Sequence, residues 1–199
     1  MTPKIVILAK APLPGYAKTR LIPALGAEGA ARVAERMLLH TLNEARAADI
    51  GPVELSVTPD SDDSYWQDLP SDVLTGQGDG DLGERMARIA HRVTAEPRPV
   101  ILIGTDCPAL DSYRLREIAQ QLQGRDAVLA PAHDGGYVAL GLNAYASEVF
   151  QAIPWSTERV AELTRKRLRE LGWQFHELEV MHDIDEPADL IHLPADLMP

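Results

Sequence analysis

The chain of 199 residues is predicted to fold as a single α/β domain spanning 1–199, in which helices cover both faces of a mostly parallel sheet. Short apolar runs rich in β-branched residues alternate along the sequence with longer segments of helical periodicity. The run at 100–104, VILIG, is apolar throughout, which is typical of a central strand covered on both faces. No internal repeat, low-complexity segment or linker interrupts the alternation. Ligands are therefore expected beyond the carboxyl ends of the strands.

The first half of the chain contains three predicted strands and two predicted helices. Strands are expected at 4–9, 53–58 and 73–75, helices at 28–48 and 84–93, and a loop at 59–72. The first strand ends before Pro12 and Pro14, because proline cannot donate to a sheet ladder. The helices follow from apolar residues that recur at three- and four-residue steps.

The second half continues the alternation after the strand at 100–104. A helix is predicted at 113–122, and Asp111 or Ser112 can cap it. Two strands are expected around the turn HDGG, and a long helix then ends at Gly172, a residue suited to a left-handed C-terminal position. The two strands are predicted at 127–131 and 137–142, and the helix at 157–171, with Ser156 or Thr157 as its cap. A further strand is predicted at 174–180, and a short last helix begins near Pro187.

Composition and charge exclude several classes of function. Hydrophobic residues make up 45% of the chain and charged residues 25%, as in soluble globular proteins. A net charge of −11 argues against nucleic acid as a partner, since phosphate backbones bind basic surfaces. A single cysteine excludes an intrachain disulfide, and the N-terminal apolar run, 5–9, is too short for the apolar region of a signal peptide or for a membrane span. We expect a cytoplasmic protein with small-molecule substrates, and the sequence leaves open whether it forms a homodimer.

The segment Ala9–Leu21, AKAPLPGYAKTRL, is a basic loop in an acidic chain. It contains Lys10, Lys18 and Arg20 and no acidic residue. A loop between a first strand and a helix, with Gly15 to ease its turn, can direct backbone N–H groups and cations toward a phosphate. The dinucleotide fingerprint and the P-loop are both absent. The loop is thus either a solvated turn or an anion site.

Two acidic motifs carry candidate metal ligands. Asp106 follows the central strand in GTDCPAL, where a carboxylate can bind Mg²⁺ or accept backbone N–H bonds. Asp183 and Asp185 in DIDEP are spaced so that both side chains point the same way if the segment is extended. Asp185 can instead cap the last helix. Asp183 is therefore the better metal candidate of the two.

Other motifs are candidates for contacts to the donor or the acceptor. The glycine-rich stretch 76–86, with Gly83, can let a base or sugar approach the backbone, or can be a flexible connection. Asp134 lies in the HDGG turn and can hold a hydroxylated acceptor beside Gly135 and Gly136. Trp155 is either a packing residue or a stacking platform. Cys107 has no neighbouring cation that would activate its thiol.

Taken in order, four motifs resemble the glycosyltransferase-A superfamily of nucleotide-dependent transferases. They are KAPLPGYAKTRL, GTDCPAL, APAHDGGYVALGL and DIDEPADL, and the resemblance extends from Lys4 to Leu190. The chain is most similar to small bacterial transferases of this fold associated with arsenosugar or selenium loci. It also resembles 2-phospho-L-lactate guanylyltransferase and, more distantly, the molybdenum-cofactor nucleotidyltransferases.

The resemblance implies a three-layer sandwich with a mixed, mostly parallel central sheet and the nucleotide over its first half. Lys18 and Arg20 would hold the donor phosphates, with Lys10 assisting. Asp106 and Asp183 would bind Mg²⁺ or Mn²⁺, and the HDGG turn would face the acceptor. The chain departs from many nucleotide-sugar transferases in having a single aspartate in TDCP, and its first loop is longer than in many nucleotidyltransferases.

Three functions are consistent with these residues. The first is a Mg²⁺-dependent nucleotidyltransferase that joins a nucleoside triphosphate to a phosphorylated or phosphonate acceptor and releases pyrophosphate. This hypothesis accounts for a loop whose three cations have no carboxylate nearby in sequence. The second is a glycosyltransferase with a nucleotide-sugar donor and Asp134 as a base. The third is a nucleotide-binding module without catalysis.

Overall fold

The structure, a computed structural model, describes residues 2–59 and 61–199 and contains a seven-stranded sheet. The strand order is β3-β2-β1-β4-β6-β5-β7. Only β6 runs against its neighbours, pairing antiparallel with β4 and β5, so the sheet is mixed and mostly parallel as predicted. The strands are β1 (Lys4–Lys10), β2 (Val53–Thr58), β3 (Val73–Gly76), β4 (Val100–Ile103), β5 (Ala127–Pro131), β6 (Tyr137–Leu142) and β7 (Phe175–Glu177).

Helices cover both faces of the sheet, which confirms the three-layer arrangement. They are α1 (Ile22–Ala48), α2 (Ser64–Gln67), α3 (Leu82–Thr94), α4 (Ser112–Gln121) and α5 (Val160–Glu170). Side chains alternate along each strand, so Ile5 and Ile7 of β1 belong to the core beneath α1 and α4. Val6 of the same strand belongs to the opposite core, beneath α3 and α5.

Helix boundaries differ from the predicted ones where backbone geometry decides them. Helix α1 begins at Ile22 rather than Glu28, because an additional helical turn precedes a break at Gly26, where φ is 70° and ψ is 167°. Asp111 caps α4 by accepting the Arg114 N–H, as expected. The cap predicted for α5 is wrong: the helix starts at Val160 without a side-chain cap, and the Thr157 hydroxyl donates to the Pro154 carbonyl at 2.7 Å.

Two irregular regions also differ from their predictions. The loop predicted at 59–72 contains α2, whose Trp66 is buried in the core; Asp60 of that loop lies outside the described residues. The strand predicted at 174–180 is reduced to β7, and the last helix is a short 3-10 helix, Pro187–His192.

Within the part of the chain that the structure describes, no helix has the length and apolar character needed to cross a membrane.

The loops that carry the candidate site residues meet at one edge of the sheet. They follow β1, β4, β5 and β7, whose carboxyl ends lie at this edge. Backbone hydrogen bonds join them: the Ile184 N–H donates to the Asp106 carbonyl at 2.8 Å, and the Met181 N–H donates to the Pro131 carbonyl at 3.0 Å. The segment after β7 is thereby fixed against the loop after β4 and the end of β5.

Glu54 is a buried charge near the start of β2. Its carboxylate accepts hydrogen bonds from Lys4 at 3.2 Å and Thr75 at 2.9 Å, and it forms an ion pair with Arg92. Burial by itself would raise the pKa of this carboxyl, but the hydrogen bonds from Arg92, Thr75 and Lys4 and the Arg92 charge hold the pKa below its usual value. The carboxylate therefore stabilises the fold at neutral pH.

We expect Glu54→Gln to lower the free energy of unfolding at pH 7 by about 2–3 kcal/mol, because the variant loses charge-assisted hydrogen bonds in a buried setting. The contribution of Glu54 is complete above the pKa of the unfolded chain and disappears as pH falls through the lower folded pKa. Urea denaturation of both proteins at neutral and at acidic pH measures this difference. A difference that does not shrink in acid would contradict the assignment.

Candidate functional site

Two adjoining cavities open at the loop edge of the sheet. The larger cavity has a volume of about 370 Å³ and the smaller cavity about 260 Å³. The two share Leu8, Arg20, Asp106 and Asp185, so they meet at these residues. Most of the larger cavity is lined by apolar side chains and aspartates: Leu82, Met86, Leu102, Val138, Trp155, Val160, Asp106, Asp134, Asp183 and Asp185. The smaller cavity is lined by residues of the basic loop, including Lys10, Tyr16, Lys18 and Arg20.

Lys18 lies at the junction of the two cavities, and its ammonium is engaged by acidic partners. Its side chain is only 8% exposed, and its Nζ lies 2.5 Å from Asp106 Oδ1 and 2.7 Å from Asp185 Oδ1. Nζ also donates to the Ile184 carbonyl at 2.6 Å. Burial would lower the pKa of Lys18, but the two carboxylates raise it above its usual value, so the ammonium stays charged. Although the basic loop has no carboxylate nearby in sequence, Lys18 is therefore neutralised by carboxylates from distant parts of the chain.

Asp185 lies in the site, although the sequence indicated that it could instead cap the last helix. It does not cap the last helix: Glu186 and Asp189 form the capping box there, and Asp189 also accepts the Asp185 N–H at 3.0 Å. The Asp185 carboxylate instead binds Lys18 and lines both cavities. The signal that could have identified it is its spacing from Asp183, which places both side chains on the larger cavity.

Asp183 is half-buried among other carboxylates. Burial raises its pKa to about 6, and the negative charges of Asp134, Asp185 and Asp106 act in the same direction. Asp106 is more open, with 48% of its side chain exposed. The structure thus brings both predicted metal ligands to the wall of one cavity.

The remaining residues of the basic loop differ in position. Lys10 places its ammonium 4.1 Å from the centre of the Tyr16 ring at the smaller cavity. Arg20 is 64% exposed at the rim, with its guanidinium 4.0 Å from carboxylate oxygens of Asp185 and Glu186. Gly15 adopts a left-handed backbone (φ 74°) and lines neither cavity.

Trp155 occupies the space beside Gly83, where the sequence left open either a ligand contact or a flexible connection. A Cβ on Gly83 would lie 1.9 Å from Trp155 Nε1, so the indole packs directly on the glycine. Trp155 also meets Tyr137 edge to face, with ring centres 6.4 Å apart. Gly83 lines neither cavity, and its lack of a side chain serves the placement of Trp155.

Gly83→Ala is expected to displace the Trp155 indole and to destabilise the protein by about 1–3 kcal/mol, because the added methyl group overpacks the contact. Tryptophan fluorescence and urea denaturation measure both effects. Gly124→Ala is the matched control, since a Cβ at Gly124 meets nothing within 4 Å. Equal behaviour of the two variants would contradict this role for Gly83.

The HDGG turn presents Asp134 to the larger cavity. Asp134 Oδ1 accepts the Gly136 N–H at 2.7 Å, which orients the carboxylate, and Gly136 lines the same cavity. Gly135 has φ 87° and leaves no room for a Cβ, which would lie 2.1 Å from the Glu158 carbonyl oxygen. Gly135 therefore joins the turn to the start of α5 and does not line the cavity.

Cys107 is not a nucleophile in this site. The thiol is buried, and this burial raises its pKa to about 11. It therefore stays protonated near neutral pH.

The family of the chain follows from its sequence. Residues 41–157 match the family described as "Uncharacterized protein conserved in bacteria (DUF2064)". The chain belongs to this family. The matched range includes Asp106, Asp134 and Trp155, whereas Lys18 and Asp183 lie outside it. No curated protein matches the chain.

Solved structures share the fold over nearly the whole chain. A protein from Desulfovibrio desulfuricans described as a nucleotide-diphospho-sugar transferase is 27% identical, with a TM-score of 0.88 over 96% of this chain and 85% of the other. A cytidylyltransferase from Leptospira borgpetersenii is 16% identical, with a TM-score of 0.62 over 96% of this chain and 84% of the other. The 2-C-methyl-D-erythritol 4-phosphate cytidylyltransferase from Thermus thermophilus is 15% identical, with a TM-score of 0.57 over 96% and 97% of the two chains. The chain has the fold of nucleotide-diphospho-sugar transferases.

Proposed function

We propose that the protein is a nucleotide-dependent transferase that binds donor phosphates in the smaller cavity and the acceptor in the larger cavity. The observation that carries this proposal is the junction at Asp106, Lys18 and Asp185, where a cation-lined cavity meets an aspartate-lined one. The similarity to the transferase from Desulfovibrio desulfuricans supports the same chemistry. The narrower resemblances, to arsenosugar-associated transferases and to a guanylyltransferase, stay predictions.

A divalent cation, Mg²⁺ or Mn²⁺, suits two carboxylates of the larger cavity, one of which, Asp106, also belongs to the junction. Within the described ranges, no group of three or more histidine, cysteine or acidic side chains is arranged to hold a metal. Mg²⁺, however, commonly takes only one or two carboxylates and completes its shell with water and substrate phosphates. Asp106 and Asp183 would supply those carboxylates. A cation there would offset the repulsion between carboxylates that, after burial, raises the pKa of Asp183. When bound, the ion would neutralise charge that develops on the leaving phosphate.

The charge balance of the site favours a nucleotide-diphospho-sugar as the donor. A triphosphate donor would be matched by three cations without acidic partners, but Lys18 is already paired with two carboxylates. Lys10 and Arg20 remain to face the phosphates, which suits the lower charge of a diphosphate. Nucleotidyl transfer from a triphosphate stays the second candidate, because Arg20 is largely exposed where the cavities meet and can turn toward additional phosphate oxygens.

In the proposed reaction, an acceptor hydroxyl attacks the anomeric carbon of the donor sugar. Asp134 accepts the hydroxyl proton through the carboxylate that the Gly136 N–H orients. The new C–O bond forms as the bond from the anomeric carbon to the diphosphate breaks, and the nucleoside diphosphate leaves with the electron pair. Lys10 and Arg20 lie where they can stabilise the departing charge.

A thermal-shift panel tests the proposal with the four nucleoside triphosphates and common nucleotide-sugars, each with and without Mg²⁺. A ligand present at 100 times its Kd stabilises the fold by about 2.7 kcal/mol, which raises Tm by about 5–11 °C for a chain of this length. We expect the largest shift from a nucleotide-sugar with Mg²⁺. The absence of a Tm shift with every ligand would contradict the proposal. Release of pyrophosphate in place of nucleoside diphosphate would establish the second candidate. A shift without turnover by any acceptor would instead indicate a binding module.

A further inference from the structure

The two cavities differ in charge, and this difference bears on the acceptor. Four aspartates line the larger cavity: Asp106, Asp134, Asp183 and Asp185. Among its described lining residues, Arg20 is the sole cation; it lies at the rim, 64% exposed and facing Asp185 and Glu186. A cleft lined by one sign of charge between low-dielectric walls repels ions of that sign. An anionic acceptor would meet carboxylates here without a free cation to pair with it. The Lys18 ammonium is already bound by Asp106 and Asp185, and the charge of a divalent cation held by Asp106 and Asp183 would be balanced by the donor phosphates.

Part of the lining of the larger cavity is apolar and holds a fixed aromatic ring. Leu82, Met86 and Val160 contribute to this part of the lining beside Trp155. The indole is held in place by its contact with Gly83. The backbone on either side is constrained as well, because Ala152 and Ser156 both adopt left-handed conformations (φ 54° and 64°) that side chains other than glycine rarely take. The backbone is thus locally strained on both sides of Trp155, which lines the cavity.

We infer, on the basis of the proposed function, that the acceptor is a hydroxyl compound without phosphate or carboxylate groups, bound with an apolar face against Trp155. The hydroxyl groups would donate to the aspartates, which are acceptors when ionised. The apolar face would cover the indole, as carboxylates and an aromatic wall together favour uncharged, amphipathic ligands. The phosphorylated or phosphonate acceptor expected from the sequence does not fit this charge distribution.

A series of three probes tests the inference: phenyl glucoside, glucose and glucose 6-phosphate, each titrated against the protein in saturation-transfer NMR. We expect phenyl glucoside to bind best, and glucose 6-phosphate to bind about tenfold or more below glucose, because like charges would be brought together. Asp134→Lys should reduce the difference in affinity between glucose and glucose 6-phosphate. Asp196→Lys makes the same change in charge at an exposed residue that lines neither cavity, and it should leave this difference in affinity unchanged. Glucose 6-phosphate binding as tightly as glucose in the unmodified protein would overturn the inference.

A second measurement tests the negative charge of the larger cavity, on which the inference depends, even if none of the probes binds. The fluorescence of Trp155, obtained as the difference between the unmodified protein and Trp155→Phe, is quenched by iodide or by neutral acrylamide at constant ionic strength. We expect Asp134→Lys to raise the iodide quenching constant about twofold or more and to leave the acrylamide constant unchanged, since only the anion responds to cavity charge. Asp196→Lys should change neither constant. An iodide constant that Asp134→Lys does not alter would overturn the inference, whereas the proposed function fails separately, on the absence of any nucleotide-induced thermal shift.

Discussion

Asp106→Ala is expected to reduce metal-dependent turnover by about 10³-fold or more, the largest loss that we predict for any single substitution. Asp106 is half exposed, lines both cavities and follows the central strand β4, so it can contact a metal and donor phosphates together. The measurement is the release of nucleoside diphosphate or pyrophosphate with saturating Mg²⁺. Retention of most activity would contradict the assignment of Asp106 as a metal ligand.

Two controls separate the chemistry of Asp106 from its contribution to folding. Asp196→Ala removes an exposed carboxylate that lines neither cavity, and its turnover should match that of the unmodified protein. The thermal unfolding of Asp106→Ala should remain cooperative, because the backbone bond from Ile184 to the Asp106 carbonyl does not depend on the side chain.

Lys18→Met is expected to reduce turnover by about 10²-fold, with half-saturation by Mg²⁺ unchanged or reached at lower concentration. Lys18 joins Asp106 to Asp185, and removing the ammonium leaves two neighbouring carboxylates without their shared partner. Losses of about 10–100-fold are usual when a group that orients metal ligands is removed. The metal affinity should not fall, because the Lys18 ammonium no longer competes with the metal for the Asp106 carboxylate. Steady-state kinetics over a range of Mg²⁺ concentrations measure both quantities.

Lys18→Arg is the matched variant, since it keeps the positive charge but changes its geometry. We expect partial recovery of turnover relative to Lys18→Met. Turnover within about threefold of the unmodified protein in Lys18→Met would show that the junction does not require this ammonium. A large rise in the donor KM without any change in kcat would instead assign Lys18 to donor binding, as the sequence predicts.

The layered fold could be predicted from the sequence because local patterns determine it. The alternation in β1 sends Ile5 and Ile7 to one core and Val6 to the other, and the apolar run of β4 indicates its central position. The HDGG turn likewise predicts the antiparallel β5–β6 hairpin. The burial of Trp66 was not predictable in this way, because it depends on a core that distant parts of the chain build together. The break at Gly26 was not predicted either, although glycine readily adopts the positive φ found there.

The candidate site was predictable in part. Asp106 was identified from its position beyond the central strand, Asp134 from the HDGG turn and Asp183 from its spacing with Asp185. All three line the larger cavity. The partners of Lys18 could not be found from the basic loop, because Asp185 lies 167 positions away in sequence. The contact between Trp155 and Gly83 joins the start of α3 to the loop before α5, which no local pattern reveals.

The dependence of donor binding on Mg²⁺ tests the central claim most directly, namely that metal and donor phosphates bind together at the junction. Isothermal titration calorimetry with the nucleotide that gives the largest thermal shift measures this dependence, in Mg²⁺ and in EDTA, for the unmodified protein and Asp106→Ala. We predict that the unmodified protein binds the donor about tenfold or more tightly with Mg²⁺, and that Asp106→Ala abolishes this difference. Equal donor affinity in Mg²⁺ and EDTA, or a Mg²⁺ effect that persists in Asp106→Ala, would contradict the claim.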